Sequence, residues 1–181
     1  DVMDRPPRRR GSPLLDGPTL RRAFLWLGLL EAALCYLGYG LTYLAFGFGE
    51  VLHLPELPWL QAVNPLRLEL GEVHRLATTV FLAGVVLAQV GNAFACRRQN
   101  GNGRGPGLLS NRLLVIGIAA EIALLLAIIY VEPVRRVFAL YPIPPSYWAI
   151  LVLFAPTLYF VDRLGRRLWR WFRTARVHAG G

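Results

Sequence analysis

The stretch LLVIGIAAEIALLLAIIYV, residues 113–131, decides the fold of this chain. Only one of its side chains, Glu121, is charged, and no polar face interrupts the apolar residues. A helix of about 20 apolar residues covers the roughly 30 Å of hydrocarbon in a bilayer, whereas a helix on a soluble domain keeps one polar face. The stretch therefore predicts a membrane-spanning helix.

Three further apolar stretches predict spans over residues 23–49, 76–96 and 146–162. The hydrophobic fraction of 55% is high for a soluble domain. We therefore predict an all-α membrane protein with four transmembrane helices in residues 23–162. A Pro/Arg-rich segment, 1–22, precedes them, and a basic tail, 163–181, follows.

Arginine supplies all 20 basic side chains, and its distribution predicts the topology. Most arginines lie before the first stretch, between the second and third, or after the fourth; the exceptions are Arg67, Arg75, Arg135 and Arg136. By the positive-inside rule, both termini and the middle loop are cytoplasmic in a multi-pass protein of the cell membrane. The basic surface then suits anionic lipids, and we expect no nucleic-acid partner.

The front of the sequence suggests a piece of a longer protein. The chain begins with Asp1, and its only methionine is Met3. We expect either a fragment or a chain whose first residues have been removed.

Polar side chains within the spans are few, and each needs a partner or a role because hydrocarbon does not solvate it. Glu121 lies near the middle of its span and should point into the bundle. It is either an ion ligand or proton carrier, or a protonated carboxyl group hydrogen-bonded to a neighbouring helix.

Gln89 and Asn92 are spaced i, i+3 and so share one helix face. Their amide oxygens are suitable ligands for hard cations, but the same groups serve as hydrogen-bond donors and acceptors between helices. For Glu31 the simpler interpretation is that it reaches the cytoplasmic interface. The three histidines lie in predicted loops or the tail, and we assign them no role.

Catalytic machinery is not apparent. We find no phosphate-binding loop, no nucleophile with a base, and no metal-ligand spacing around Cys35 and Cys96. We therefore predict no catalytic residues and no cofactor within this chain.

Several motifs occur in an order that is informative. They are Asp1–Arg8 (DVMDRPPR), Ala88–Phe94 (AQVGNAF) followed by Arg97, Glu121 with Tyr130 and Pro133, Tyr141–Trp148 (YPIPPSYW), and Val161–Arg167 (VDRLGRR). Together they resemble the carboxy-terminal membrane region of P-type cation-transporting ATPases, from the loop after the sixth membrane helix through the tenth.

The resemblance implies a fold and a function. It implies the support bundle of an ATP-driven cation pump, with ATP, Mg²⁺ and the main ion ligands belonging to upstream membrane and cytoplasmic domains. It places Gln89 where calcium pumps of the reticulum type carry Glu, and Asn92 where sodium pumps carry Asp. It also places Glu121 near the extra sodium site. Gln89, Asn92 and Glu121 are then candidate auxiliary ion ligands or members of a proton path.

The residues alone leave a second hypothesis open. A four-helix bundle with both ends in the cytoplasm could be a stand-alone membrane scaffold or assembly protein without enzymatic activity.

Overall fold

Helices form every regular element that the structure, a computed structural model, describes; it describes residues 17, 21–62, 66–97 and 111–165. The opening segment Asp1–Arg8 and most of the predicted basic tail lie outside the described residues. The elements are a π-helical segment Arg22–Leu27 and helices Gly28–Ala45, Gly49–Leu52 (3-10), Pro58–Ala62, Leu70–Arg97, Arg112–Tyr130, Glu132–Val137 and Pro145–Leu151, followed by helical residues 154–165.

Four of the helical segments are long and apolar enough to cross a membrane, which confirms the predicted fold class. We call them the first to fourth spans: Phe24–Ala45, Leu70–Phe94, Arg112–Tyr130 and Pro145–Gly165. The third lies within one residue of the predicted stretch.

The first two helices differ from the predicted stretches at the ends that their connecting segment joins. The first ends at Ala45, because Gly47 adopts a left-handed conformation (φ 80°) that stops the helix. The second begins at Leu70, six residues before the predicted start. Its first turn is capped by the Glu72 carboxylate, which accepts from the Glu69 N–H at 3.1 Å.

The first and second spans form an antiparallel hairpin. At one end the hydroxyl of Tyr43 contacts Nδ1 of His74 at 2.8 Å. At the other end Glu31 contacts Asn92 at 2.8 Å. From the second of these contacts to the first, the residue number rises in the first span and falls in the second, as expected for antiparallel helices. Both contacts therefore belong to one register.

Glycines bring the fourth span against this hairpin. A Cβ on Gly91 would lie 2.6 Å from the carbonyl oxygen of Ala155, and one on Gly84 would lie 3.0 Å from Phe154. In lipid, helices associate through close packing, which small residues allow. Phe154 also packs beside Gly38 of the first span, so its ring joins three helices.

The fourth span is interrupted at residues 152–153. Pro156 explains the break: it has no N–H for the carbonyl of Val152 four residues earlier, and its ring crowds that carbonyl. The chain resumes hydrogen bonding at Thr157, whose N–H donates to Leu153 O at 2.9 Å.

The third span lies at the edge of the bundle. Asn111 caps it, its Oδ1 accepting from the N–H groups of Leu113 and Leu114 at 3.1 and 3.3 Å. About half of its side chains are exposed, but Leu125 and Ile129 are buried. These two lie one turn apart and mark the face that packs inward.

Polar contacts hold the connection between the third and fourth spans. The Tyr130 hydroxyl donates to Ile143 O at 2.9 Å and accepts from Trp148 Nε1 at 2.7 Å. The Tyr141 N–H donates to Thr79 Oγ1 of the second span at 3.0 Å. These bonds fix the loop over the end of the second span.

Candidate functional site

One carboxylate and two carboxamides meet between the first and second spans. Glu31 Oε1 accepts from Gln89 Nε2 at 3.0 Å, and Glu31 Oε2 accepts from Asn92 Nδ2 at 2.8 Å. We call Glu31, Gln89 and Asn92 the carboxylate cluster. A hydrogen bond to a carboxylate is about twice as strong as one between neutral groups, so the cluster ties the two helices together.

Helix geometry explains why these three residues meet. Gln89 and Asn92 are spaced i, i+3 and project from one side of the second span. The antiparallel register then sets Glu31, in the first turn of the helix Gly28–Ala45, opposite them. Gly91, between the two amides, lets the fourth span approach the second from another side.

The cluster is only partly enclosed by this chain. Glu31 and Asn92 are partly buried, and Gln89 is exposed. A polar side chain exposed at this depth of a span would be costly against lipid. The open side of the cluster is therefore suited to contact with further protein or with water.

The cluster has the chemistry of a hard-cation site or a proton site. The Asn92 Oδ1 atom is buried and has no hydrogen-bond partner among the described residues. A carboxylate with amide oxygens is the kind of ligand set that Na⁺ or Ca²⁺ prefers. A proton on Glu31 would instead turn the carboxylate from an acceptor into a donor.

Glu121 is not joined to this cluster. It is partly buried on the third span and lies on the same helix stripe as Leu125 and Ile129. Within the described part of the chain its carboxylate has no hydrogen bond or ion pair. The structure thus brings two of the three predicted site residues together and leaves the third apart.

That Glu31 reaches the cytoplasmic interface stays a prediction, and the structure adds that its carboxylate accepts from both amides. The sequence did not indicate which helix would supply the hydrogen-bond partner of Gln89 or of Asn92. The pairing could be predicted only from both spans together: consecutive spans run antiparallel, so a polar residue early in the first span faces polar residues late in the second.

His74 also differs from the expectation. It lies in the helix Leu70–Arg97, not in a loop, and its Nδ1 contacts the hydroxyls of Tyr43 at 2.8 Å and Tyr39 at 3.2 Å. The imidazole therefore joins the end of the first span near Ala45 to the start of the second near Leu70.

A site for a transition metal is not found in the ranges that the structure covers. They contain no group of three His, Cys, Asp or Glu side chains able to hold such an ion. Cys35 is buried and free, and the side chain of Cys96 lies outside the described part.

Comparisons with known proteins connect this arrangement to a family. The family model described as "Cation transporting ATPase, C-terminus" matches residues 1–168. The endoplasmic reticulum calcium ATPase srcA of Aspergillus fumigatus is 28% identical over 187 residues, covering 99% of this chain and 19% of that protein. The sodium/potassium-transporting ATPase subunit alpha-3 of Rattus norvegicus and of Homo sapiens is 22% identical over 183 residues, covering 94% of this chain and 18% of each relative.

The chain thus spans about a fifth of the length of these relatives. The match covers all four spans and includes each motif on which the resemblance rested. A multi-pass membrane location agrees with the four apolar helices. The chain belongs to the family of cation-transporting ATPase C-termini, the carboxy-terminal membrane region of P-type pumps.

Proposed function

We propose that this chain is the support region of an ATP-driven cation pump, in which it braces the transport helices and contributes auxiliary ion ligands. The pump's ATP and Mg²⁺ would bind to cytoplasmic domains upstream of the region described here. The family match over residues 1–168 and the calcium and sodium/potassium pumps among the relatives support the general assignment.

The bracing role follows from how tightly the second and fourth spans approach. Gly91 has no room for a Cβ beside the backbone of Ala155. The main buried cluster contains Leu76, Leu125 and Phe154 of the second, third and fourth spans, and Leu34 of the first span packs against it. A bundle packed to this density resists deformation. It would give the transport helices a fixed surface against which to move.

The auxiliary ligand role rests on one observation, the meeting of Glu31 with Gln89 and Asn92. Gln89 and Asn92 lack the charge that the resemblance assigns to their positions, and Glu31 supplies a carboxylate at the same place from the neighbouring span. The cluster opens to one side, where helices of the rest of the pump would complete it. A cation or a proton held there would be balanced by the one carboxylate.

Glu121 is proposed as a separate element of the ion or proton path. It shares the inward stripe of the third span but lacks a described partner, so its partner would come from the same additional helices. In the full-length protein, Glu121→Gln is expected to change the cation or pH dependence of ATP hydrolysis, and unchanged cation activation would leave it a structural residue.

The cluster is tested by Glu31→Gln in the full-length protein, with cation-stimulated ATP hydrolysis as the readout. Gln keeps the shape and removes the charge, so we expect the cation concentration for half-activation to rise about tenfold, since charged ligands set cation affinity. Glu50→Gln is the matched control because Glu50 is an exposed carboxylate beyond the other end of the same span. An equal effect of the two variants would refute a ligand role for Glu31.

A stand-alone scaffold remains the competing function, and the close approach of the second and fourth spans at Gly91 favours it. It predicts a membrane product of about the 20.2 kDa mass of this chain, whereas the pump predicts a product about five times longer, like its relatives. An immunoblot of native membranes with an antibody against this region separates the two.

The proposed topology places both termini and the middle loop in the cytoplasm of a cell-membrane protein, with the arginines of those segments against anionic headgroups. Labelling of Gly107→Cys by a membrane-impermeant thiol reagent tests it. The cysteine should react only after the cytoplasmic side is opened, and reaction in intact cells would reverse the topology.

A further inference from the structure

A cavity of about 430 Å³ lies at the end of the bundle opposite to the carboxylate cluster. Its walls are Glu72 and Arg75 of the second span, Arg135 and Arg136 of the helix Glu132–Val137, and residues 139–142 of the loop before the fourth span. Of the four arginines that the sequence places on this side, three therefore line one pocket. We call it the arginine pocket.

The charge of the arginine pocket is incompletely neutralised. Arg136 pairs with Glu132 on its own helix. The Glu72 carboxylate accepts from the backbone N–H of Glu69. In the ranges that the structure describes, Arg75 and Arg135 have no carboxylate within ion-pairing distance, so two guanidinium groups remain available to an anion.

The surroundings of the pocket are those of a membrane interface. Arg75 lies between one and two turns inside a membrane span, and the pocket's loop leads directly into the fourth span at Pro145. Tyr130 ends the third span, Trp148 lies in the first turn of the fourth, and the two side chains hydrogen-bond to each other; Trp and Tyr are enriched at membrane interfaces. Long arginine side chains at such a depth extend toward the headgroup layer.

Two exposed apolar side chains directly follow these arginines in the sequence. Val137 is 82% exposed and Phe138 is 56% exposed, and both directly follow Arg136. Guanidinium groups next to an exposed apolar surface match a ligand that has an anionic head and an apolar body. A free phosphate ion has only the first of these features.

The geometry points to a binding site in the arginine pocket for the phosphate group of an anionic phospholipid, whose acyl chains lie along Val137 and Phe138. Guanidinium groups bind phosphate oxygens in a bidentate manner. This site lies on the opposite side from the arginine-rich loops and is a pocket, not a diffuse basic surface. The pump function proposed above is not needed for it.

The test measures lipid binding by the full-length protein in neutral detergent, as the number of lipids retained in native mass spectrometry across a lipid titration. Phosphatidylglycerol supplies an anionic head with acyl chains, phosphatidylcholine supplies acyl chains with a zwitterionic head, and inorganic phosphate supplies the anion alone as a competitor. The variant is Arg75→Gln with Arg135→Gln. The matched control is Arg67→Gln, because Arg67 is an exposed arginine on the same side outside the pocket.

We expect phosphatidylglycerol to bind more tightly than phosphatidylcholine, and the double Gln variant to weaken it about tenfold or more, as two basic contacts near the surface are removed. Arg67→Gln should bind like the wild type. Replacement of Arg75 and Arg135 by Lys, which keeps the charge, should retain part of the binding and shows that the fold is intact.

Three results would overturn the assignment. Equal retention of phosphatidylglycerol and phosphatidylcholine would show that the site does not recognise the anionic headgroup. An equal loss with Arg67→Gln would show a general charge effect. Displacement of the lipid by inorganic phosphate at the same concentration would show that the acyl chains add nothing and that the pocket is a site for the free anion.

Discussion

The contact between Gly91 and Ala155 gives a sharp prediction about how the bundle is held together. In Gly91→Ala, the new Cβ would lie 2.6 Å from the carbonyl oxygen, 3.0 Å from Cα and 3.2 Å from the carbonyl carbon of Ala155. All three atoms are backbone, so no side chain can rotate away. To bring the 2.6 Å contact to the 3.4 Å at which ordinary van der Waals contact begins, the fourth span must move outward by about 0.8 Å. Overpacking of this kind costs about 1–3 kcal/mol.

Gly117→Ala is the matched control for this prediction. It adds the same methyl group to a helix interior, where Ala is favoured over Gly by about 1 kcal/mol, but nothing lies within 4 Å of the new Cβ. Because both variants gain the same helix propensity, the difference between them isolates the clash. Thermal unfolding of the full-length protein in detergent should rank Gly91→Ala below wild type and Gly117→Ala at or above it. Equal unfolding midpoints would refute the close approach of the second and fourth spans.

Two further pairs of variants test the polar contacts by the same unfolding measurement. Thr79→Val should cost about 1–3 kcal/mol, because Thr79 is fully buried and its Oγ1 accepts from the Tyr141 N–H, which would lose its partner. Thr78→Val is the control: its hydroxyl is exposed and donates to His74 O within its own helix, so the change should stay within about 0.5 kcal/mol. A similar loss in both would contradict the role of Thr79 in fixing the loop. Tyr43→Phe should cost about 1 kcal/mol, because its hydroxyl contacts Nδ1 of His74 at 2.8 Å. Tyr36→Phe, at a residue that is 67% exposed, should be neutral. A stability of Tyr43→Phe equal to wild type would show that the contact between Tyr43 and His74 does not stabilise the hairpin.

The parts of the fold that could be predicted from sequence are those set by apolar length. The third span was predicted to within one residue because residues 113–131 are apolar apart from Glu121, so hydropathy alone marks both ends of the helix. The start of the second helix was missed because its first turns carry Glu72, His74 and Arg75, which lower the hydropathy although a carboxylate cap makes them helical. Hydropathy reports the hydrocarbon segment, whereas capping decides where the helix begins.

The candidate site was predictable only in part, for a similar reason. The i, i+3 spacing showed that Gln89 and Asn92 share a face, because that property belongs to one helix. Their partner Glu31 depends on the register between two helices, which is set by packing at positions such as Gly38 and Gly84. The depth of Glu121 in its span marked it as a candidate functional residue. Its neighbours could not be predicted, because depth carries no information about the direction in which a side chain points.

The hairpin of the first two spans has polar contacts at both ends and glycines between them. Sliding one helix past the other by a single residue would displace it by about 1.5 Å and turn it by about 100°, which would separate Glu31 from the amides and Tyr43 from His74 at once. A slide would thus lose the polar contacts at both ends together, so we expect the two helices to tilt or shift as one body.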